Sequence, residues 1–356
     1  MVKKLQLKNG LKILLLENHK SPVVSAQVWV RNGSADESKG EEGISHFIEH
    51  LLFKGTRQFK MGEIASLIEG SGGELNAYTS FDQTVFHITI SKEYSDTALL
   101  ALSEMIGFPK FDADEIDRER EVVIEEIKRG LDNPSRRASQ LVFSTAYRKH
   151  PYRLPIIGFE KIIRKISRKR IVDFYQKRYG PQNMFAVIVG DFDCKAMENS
   201  LKKYFGEIPA YPVKKIRRPK EMRNSTPRVA IEMTDFQESL AHLAWHIPNL
   251  THADCPALDV LALIFGQGDS SRLVQRLRID KPLVNSIGTS SYTPKDSGLF
   301  LISFGFNPAN LNVILEALKQ EIQNLYLIPP TEQEIAKAVA IIESEEFFGL
   351  ETVDGI

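Results

Sequence analysis

The chain has 356 residues, 42% of them hydrophobic and 26% charged, with 46 basic and 46 acidic side chains that cancel to a formal net charge of zero. This length predicts about two domains with ample core, and the balanced charge argues against nucleic acid as the bulk partner. Two cysteines, Cys194 and Cys255, are too few for a disulfide framework and suit a reducing compartment.

Near the amino terminus, Lys3 and Lys4 are followed by Gln6, Lys8, Asn9 and Lys12, which interrupt any apolar stretch, so no signal peptide is expected. No apolar run approaches the roughly 20 residues of a membrane span. A cytoplasmic location is therefore expected. Alternation predicts a strand over Val23–Val30. The segment Gly43-Ile-Ser-His-Phe-Ile-Glu-His-Leu-Leu-Phe-Lys-Gly55 then reads as an apolar helix over residues 44–53, with a glycine at each end. Four-residue spacing puts His46 and His50 side by side, with Cβ atoms roughly 6 Å apart. Two such imidazoles can close on one ion with bonds of about 2.0–2.1 Å. Glu49 lies beside them, and Ile44, Phe47, Ile48, Leu51 and Leu52 cover the remaining surface. Burying three unpartnered ionisable groups would cost several kcal/mol each, and a bound cation removes that cost. His-x-x-Glu-His is the inverted form of the common zinc-protease motif.

Farther on, Leu75, Ala77 and Thr79 place a strand over residues 73–79, the first of a pair reaching residue 90, and a helix follows over 97–106. Residues 114–130 read as a second, acidic helix: Asp114 caps it, Lys128 and Arg129 fill the last turn, and Gly130 ends it. Periodicity puts Glu119, Val122, Val123, Glu126 and Ile127 on one face, and Glu121, Glu125 and Lys128 on the solvated side. A carboxylate on an apolar face needs a cation. A catalytic zinc normally keeps three protein ligands and one open position, so Glu126 is the first choice for the third ligand. Glu119, two turns earlier, is its supporting partner.

Pro209, Pro212, Pro219 and Pro227 lie among lysines and arginines, which marks residues 209–227 as a linker. The basic runs 164–170 and 214–223 read as solvated faces or linker. Beyond them the order of elements repeats: residues 23–30 and 44–53 parallel 241–247 and 258–265, and 73–90 and 97–106 parallel 287–304 and 311–325. The expected organisation is a zinc-binding half over 1–208, the linker, and a homologous non-catalytic half over 228–356. Hairpin-spaced strands with helices to one side indicate an α+β fold. His242 and His246 are also four apart, but Pro248 and the alternation make their segment a strand. At about 3.3 Å per residue those rings would stand roughly 13 Å apart, too far to share an ion.

These features together resemble the insulinase/pitrilysin family of zinc metallopeptidases, especially its mitochondrial processing peptidase-like branch. The resemblance runs over most of the chain. It includes Leu7-Lys-Asn-Gly-Leu-Lys, Asn32-Gly-Ser, the helix with His46, Glu49 and His50, Phe53-Lys-Gly-Thr56, and Gly72-Gly-Glu-Leu-Asn-Ala-Tyr-Thr79. It implies one zinc per chain held by His46, His50 and a glutamate 76 residues past the second His, which is Glu126. The family's auxiliary glutamate falls on Glu119. Glu49 would be the general base that takes a proton from a water activated by the ion and returns it to the leaving amine. The strand at 73–79 corresponds to the family's substrate-binding edge strand, with Asn76 and Ala77 where the family contacts its peptide. The implied architecture is two homologous halves facing across a cavity, each a mostly antiparallel sheet with helices packed on one side.

Two departures stand out. In active relatives the second half supplies an Arg and, seven residues later, a Tyr that contact the substrate carbonyl; Arg278 matches, but Asn285 stands where the Tyr is expected. The chain also stops within an expected helix, roughly 60 residues short of a complete second copy, so that half is expected to be truncated. The resulting expectation is a zinc metalloendopeptidase acting on peptides or unfolded polypeptide, alone, as a homo- or hetero-dimer, or with further family domains. A non-catalytic scaffold or partner subunit of the same family is the alternative.

Overall fold

Strands β1 (Lys3–Gln6), β2 (Lys12–Glu17) and β3 (Val23–Val30) open a computed structural model that describes residues 2–213, 216–222 and 226–355. They are followed by α1 (Ile44–Leu51), α2 (Glu63–Gly70), the hairpin β4 (Glu74–Thr79) and β5 (Thr84–Ser91), α3 (Ser95–Gly107) and α4 (Ala113–Leu131). Next come α5 (Pro134–Ala146), α6 (Glu160–Ile163), α7 (Arg168–Arg178), β6 (Met184–Gly190) and α8 (Cys194–Phe205). The remaining elements are β7 (Ser239–Ile247), α9 (Cys255–Gly266), α10 (Arg272–Val274) running into a π-turn, β8 (Val284–Tyr292), β9 (Gly298–Phe306), α11 (Leu311–Leu327) and α12 (Glu332–Gly349).

The chain divides into two compact units, Met1–Arg129 with Leu154–Pro219 and Gly349–Ile356, and Gly130–Arg153 with Lys220–Phe348. In the first, a six-stranded sheet has the order β1-β2-β6-β3-β5-β4, antiparallel except where β2 runs parallel to β6. Period-two alternation shows in the strands: Val24, Ala26, Val28 and Val30 of β3 and Phe86, Ile88 and Ile90 of β5 are buried with the helices in one continuous core. Strand β4 pairs on one side only, with β5, and is a sheet edge.

The second unit has a smaller core and a three-stranded antiparallel sheet in the order β7-β9-β8. That order repeats β3-β5-β4 of the first unit, as the duplication predicts. His242 and His246 stand in β7, where His242 Nδ1 lies 2.7 Å from Ser303 Oγ and His246 Nε2 lies 2.9 Å from the Ala146 carbonyl. Neither joins a metal cluster among the described residues.

The helix ends shift by a residue or two from the sequence expectation. The apolar helix stops at Leu51, with Leu52 as its cap, and the acidic helix begins at Ala113 and runs through Leu131, so Asp114 lies in its first turn. Residues 351–355, expected in a helix, follow the end of α12 at Gly349 as turns and a bend, and Ile356 lies outside the described residues. The basic run 214–223 is corrected at Arg218, whose side chain is only 6% exposed and pairs with Asp36 at 2.9 Å and with Asp82. Lys214, Lys215 and Arg223 of that run lie outside the described residues. Val122 is the other correction. It is 46% exposed, because at about 100° per residue it falls outside the buried stripe of α4 formed by Ile116, Glu119, Val123, Ile124 and Ile127.

Candidate metal centre

Helix α1 starts where the backbone turns sharply at Gly43, with φ of +97°, a conformation that favours glycine. A Cβ there would sit 2.4 Å from the Ile157 carbonyl oxygen, so the loop before α6 is packed against the helix start. The Glu37 carboxylate accepts the Gly43 and Ser45 N–H groups, each at 2.8 Å, and so satisfies donors that a helix leaves open. Ile44, Phe47, Ile48 and Leu51 enter the core and fix the rotation of the helix. His46, Glu49 and His50 are left together on its other side.

Helix α4 supplies the remaining carboxylates. Glu119 is buried, 5% exposed, and Glu126 sits at the margin of the buried stripe with its side chain 34% exposed. The donor atoms of His46, His50 and Glu126 all lie within 4.8 Å of one another. Glu126 Oε2 is 3.7 Å from His46 Nε2 and 3.5 Å from His50 Nε2, and the two rings stand 4.6 Å apart. These gaps exceed ordinary hydrogen-bond lengths. They are close to the edge of a tetrahedral shell, about 3.3 Å for bonds of 2.0–2.1 Å. His46 Nδ1 is buried and has no hydrogen-bond partner among the described residues. Two imidazole nitrogens and one carboxylate oxygen are a donor set that suits zinc, so the residues present fit the ion implied by the motif.

Around these three, Glu119 Oε1 accepts from His50 Nδ1–H at 2.8 Å, which leaves Nε2 to face the cluster. Its other oxygen meets Lys54 Nζ at 2.8 Å. Burial pushes against ionisation of Glu119, yet the bonds to His50 and Lys54 hold its carboxyl below the usual range. Burial lowers His46 to about 4, aided by the neighbouring His50. Burial also opposes charge on His50, but the hydrogen bond to Glu119 and the nearby Glu126 carboxylate outweigh it and raise His50 to about 9. The Glu49 carboxyl is raised by burial, and the Thr79 hydroxyl, donating to Glu49 Oε2 from the end of β4, partly offsets this.

The structure thus brings His46, Glu49, His50, Glu119 and Glu126 together. Asn76 and Ala77 lie on β4; Asn76 is exposed, its side-chain oxygen accepting from the Ala77 N–H at 2.8 Å, and Ala77 packs against the core. Arg278 belongs to the second unit, in the π-turn after α10, with its guanidinium 3.7 Å from Asp269. Asn285 stands at a bulge in β8, its amide donating to Glu238 at 3.3 Å. Sequence reasoning missed Thr79 and Lys54 as partners of the site. Lys54 is four residues past His50, and that spacing was the available signal.

Residues 12–160 match the family model described as Insulinase (Peptidase family M16), and residues 165–342 match Peptidase M16 inactive domain. The zinc protease PqqE of Helicobacter pylori is 35% identical over 326 residues, spanning 89% of this chain and 72% of that protein. An uncharacterized zinc protease, YmxG of Bacillus subtilis, is 28% identical over 99% of this chain and 86% of its own. A crystal structure of a protease from Helicobacter pylori superposes with a TM-score of 0.91 at 30% identity, covering 100% of this chain and 87% of that one. At 21% identity, the periplasmic protease PqqL from Escherichia coli shares the fold, with a TM-score of 0.77 over 99% of this chain and 40% of that one.

Proposed function

Because the chain belongs to the insulinase family of peptidases, M16, we propose that it is a zinc-dependent endopeptidase acting on peptides or unfolded polypeptide. The observation that carries this reading is the convergence of His46, His50 and Glu126 beside a half-buried Glu49. The inactive-domain description belongs to the model matching residues 165–342, whereas all four residues fall within the other match.

His46 Nε2, His50 Nε2 and Glu126 would hold one zinc ion, with Glu119 orienting the His50 ring. When bound, the ion would polarise a peptide carbonyl and lower the pKa of water from 15.7 to about 7. Glu49 takes the proton of the attacking water and hands it to the leaving amine. Its upward-shifted pKa suits both duties. The free edge of β4 is suited to strand addition, in which main-chain hydrogen bonds bind peptide with little regard to side chains. Asn76 and Ala77 would contact that peptide, and Arg278 the substrate carbonyl. Of the two halves, at 1–208 and 228–356 around the 209–227 linker, the first would hold both the catalytic residues and the binding edge of β4, and the second would be structural or add further substrate contacts. Dimers or further family domains are compatible with this role. No helix among the described residues is long and apolar enough to cross a membrane. Both cysteines are free, which suits the proposed cytoplasmic location.

A non-catalytic partner subunit is the second reading, favoured by Asn285 where active relatives are expected to carry Tyr. Two measurements decide. Purified protein should bind one zinc per chain, and His50→Ala should lose it. Glu49→Gln should keep the zinc but cleave peptides about 10²–10⁴-fold more slowly. Zinc binding without cleavage by the wild type would favour the partner subunit, and equal rates in wild type and Glu49→Gln would remove Glu49 from its role.

A further inference from the structure

The loop that follows α1 returns a charge to the metal centre. Lys54 N–H bonds the Leu51 carbonyl at 3.0 Å, and Gly55 then turns away with φ of +112°. This geometry lets the Lys54 side chain run back toward the helix. Its ammonium reaches Glu119 Oε2 at 2.8 Å while His50 Nδ1 holds Glu119 Oε1, also at 2.8 Å. His50 and Lys54, four residues apart, therefore grip the two oxygens of a single carboxylate on α4. Glu119 is 5% exposed, so little water competes for either oxygen.

We infer that Lys54 is a positioning residue for the metal centre: by pinning the far oxygen of Glu119 it keeps the near oxygen on His50, and so aims His50 Nε2 at Glu126. The inference rests on the proposed metal site. A carboxylate held at one oxygen only can swing about its side-chain bonds, and the His50 ring would follow it. With both oxygens taken, the ring orientation is set before any ion arrives. Loss of such supporting partners typically lowers metal affinity 10–100-fold. Simple charge repulsion predicts the opposite sign, because deleting a cation near a divalent site should tighten binding. The two accounts therefore separate in one measurement.

Zinc affinity is measured by competition against a chromophoric chelator for wild type, Lys54→Met, Lys54→Arg, Glu119→Gln and the Lys54→Met/Glu119→Gln double variant. Lys54→Met should bind zinc about tenfold more weakly. Lys54→Arg, which keeps a donor for the carboxylate, should stay within about threefold of wild type. In the Glu119→Gln background Lys54→Met should add nothing, because its partner is already altered. Metal-free circular dichroism spectra of wild type and Lys54→Met should agree, which separates positioning from general damage. Unchanged or tighter binding by Lys54→Met overturns the inference, as does a loss that persists undiminished in the Glu119→Gln background. A wild type that binds no zinc overturns the metal site itself, a result distinct from either.

Discussion

Thr79 closes edge strand β4, the proposed peptide-binding strand, with its hydroxyl on the carboxylate proposed as the base, at 2.5 Å. One side chain thus links β4 to the proton-transfer group. A hydrogen bond to a charged group contributes about 1.5–3 kcal/mol, so its loss should be felt in the rate. Thr79→Val keeps the shape and removes the donor. Its kcat is expected to fall about 10–100-fold with a smaller change in KM, while Thr79→Ser retains most of the rate. Steady-state kinetics on a fluorogenic peptide check this, and a Thr79→Val enzyme as fast as wild type would show that Glu49 needs no such tether. Helix period made Glu126 a first choice and the 76-residue spacing of the resemblance pointed to the same residue, which the structure brings beside His46 and His50. Thr79 was not legible in the sequence, and for Lys54 the four-residue spacing from His50 showed only a shared helix side, not its carboxylate partner. Their partners lie 30 and 65 residues away along the chain, and no local pattern records such a meeting.

Helix α12 shows a local device read from its own four residues. Thr331 and Glu334 form a capping box: Glu334 N–H donates to Thr331 Oγ1 at 3.2 Å, and Thr331 N–H to Glu334 Oε2 at 2.8 Å. The same carboxylate takes both arms of Arg272 from α10, at 2.7 and 2.8 Å. The Arg272 guanidinium is the main reason that Glu334 drops to about 2 from the ordinary 4.5. A depressed carboxyl contributes stability above its unfolded pKa, and that contribution fades as pH falls from about 4.5 toward 2. Glutamine can still serve in a capping box, so Glu334→Gln isolates the ion pair. The variant should be less stable than wild type at pH 7 and should converge with it near pH 2, as followed by denaturant midpoints across that range. A constant difference at all pH values would assign the effect to packing.

At this scale the sequence was most legible where periodicity speaks. β3 has the expected bounds, and β7 is the strand that its alternation predicts. Helix ends were less so, because Asp112, Ala113 and Asp114 all suit a first turn, and the Ile116 N–H in fact bonds the Asp112 carbonyl. Val122 and Arg218 mark a different limit. An apolar side chain sits in solvent, and a guanidinium from a basic, proline-rich stretch is buried between Asp36 and Asp82. Burial of either depends on what packs opposite, which composition does not carry.

Each compact unit has its own hydrophobic core, and the metal candidates all lie in the first. An ion that binds only folded protein stabilises by mass action, about 2.7 kcal/mol at a hundredfold excess over its dissociation constant. A unit of roughly 200 residues gains about 2–4 °C per kcal/mol, so zinc should raise its melting temperature by about 5–10 °C. The second unit contributes no donor to the cluster and should melt at the same temperature with or without zinc. Differential scanning calorimetry of the whole chain, with zinc and then with a chelator, is therefore expected to show one transition moving past another that stays fixed. His50→Ala should abolish the movement and leave the fixed transition where it was. If chelation shifts nothing in the wild type, the cluster at His46, His50 and Glu126 does not hold an ion in solution. If both transitions move together, the units unfold as one, and the independence implied by their separate cores fails.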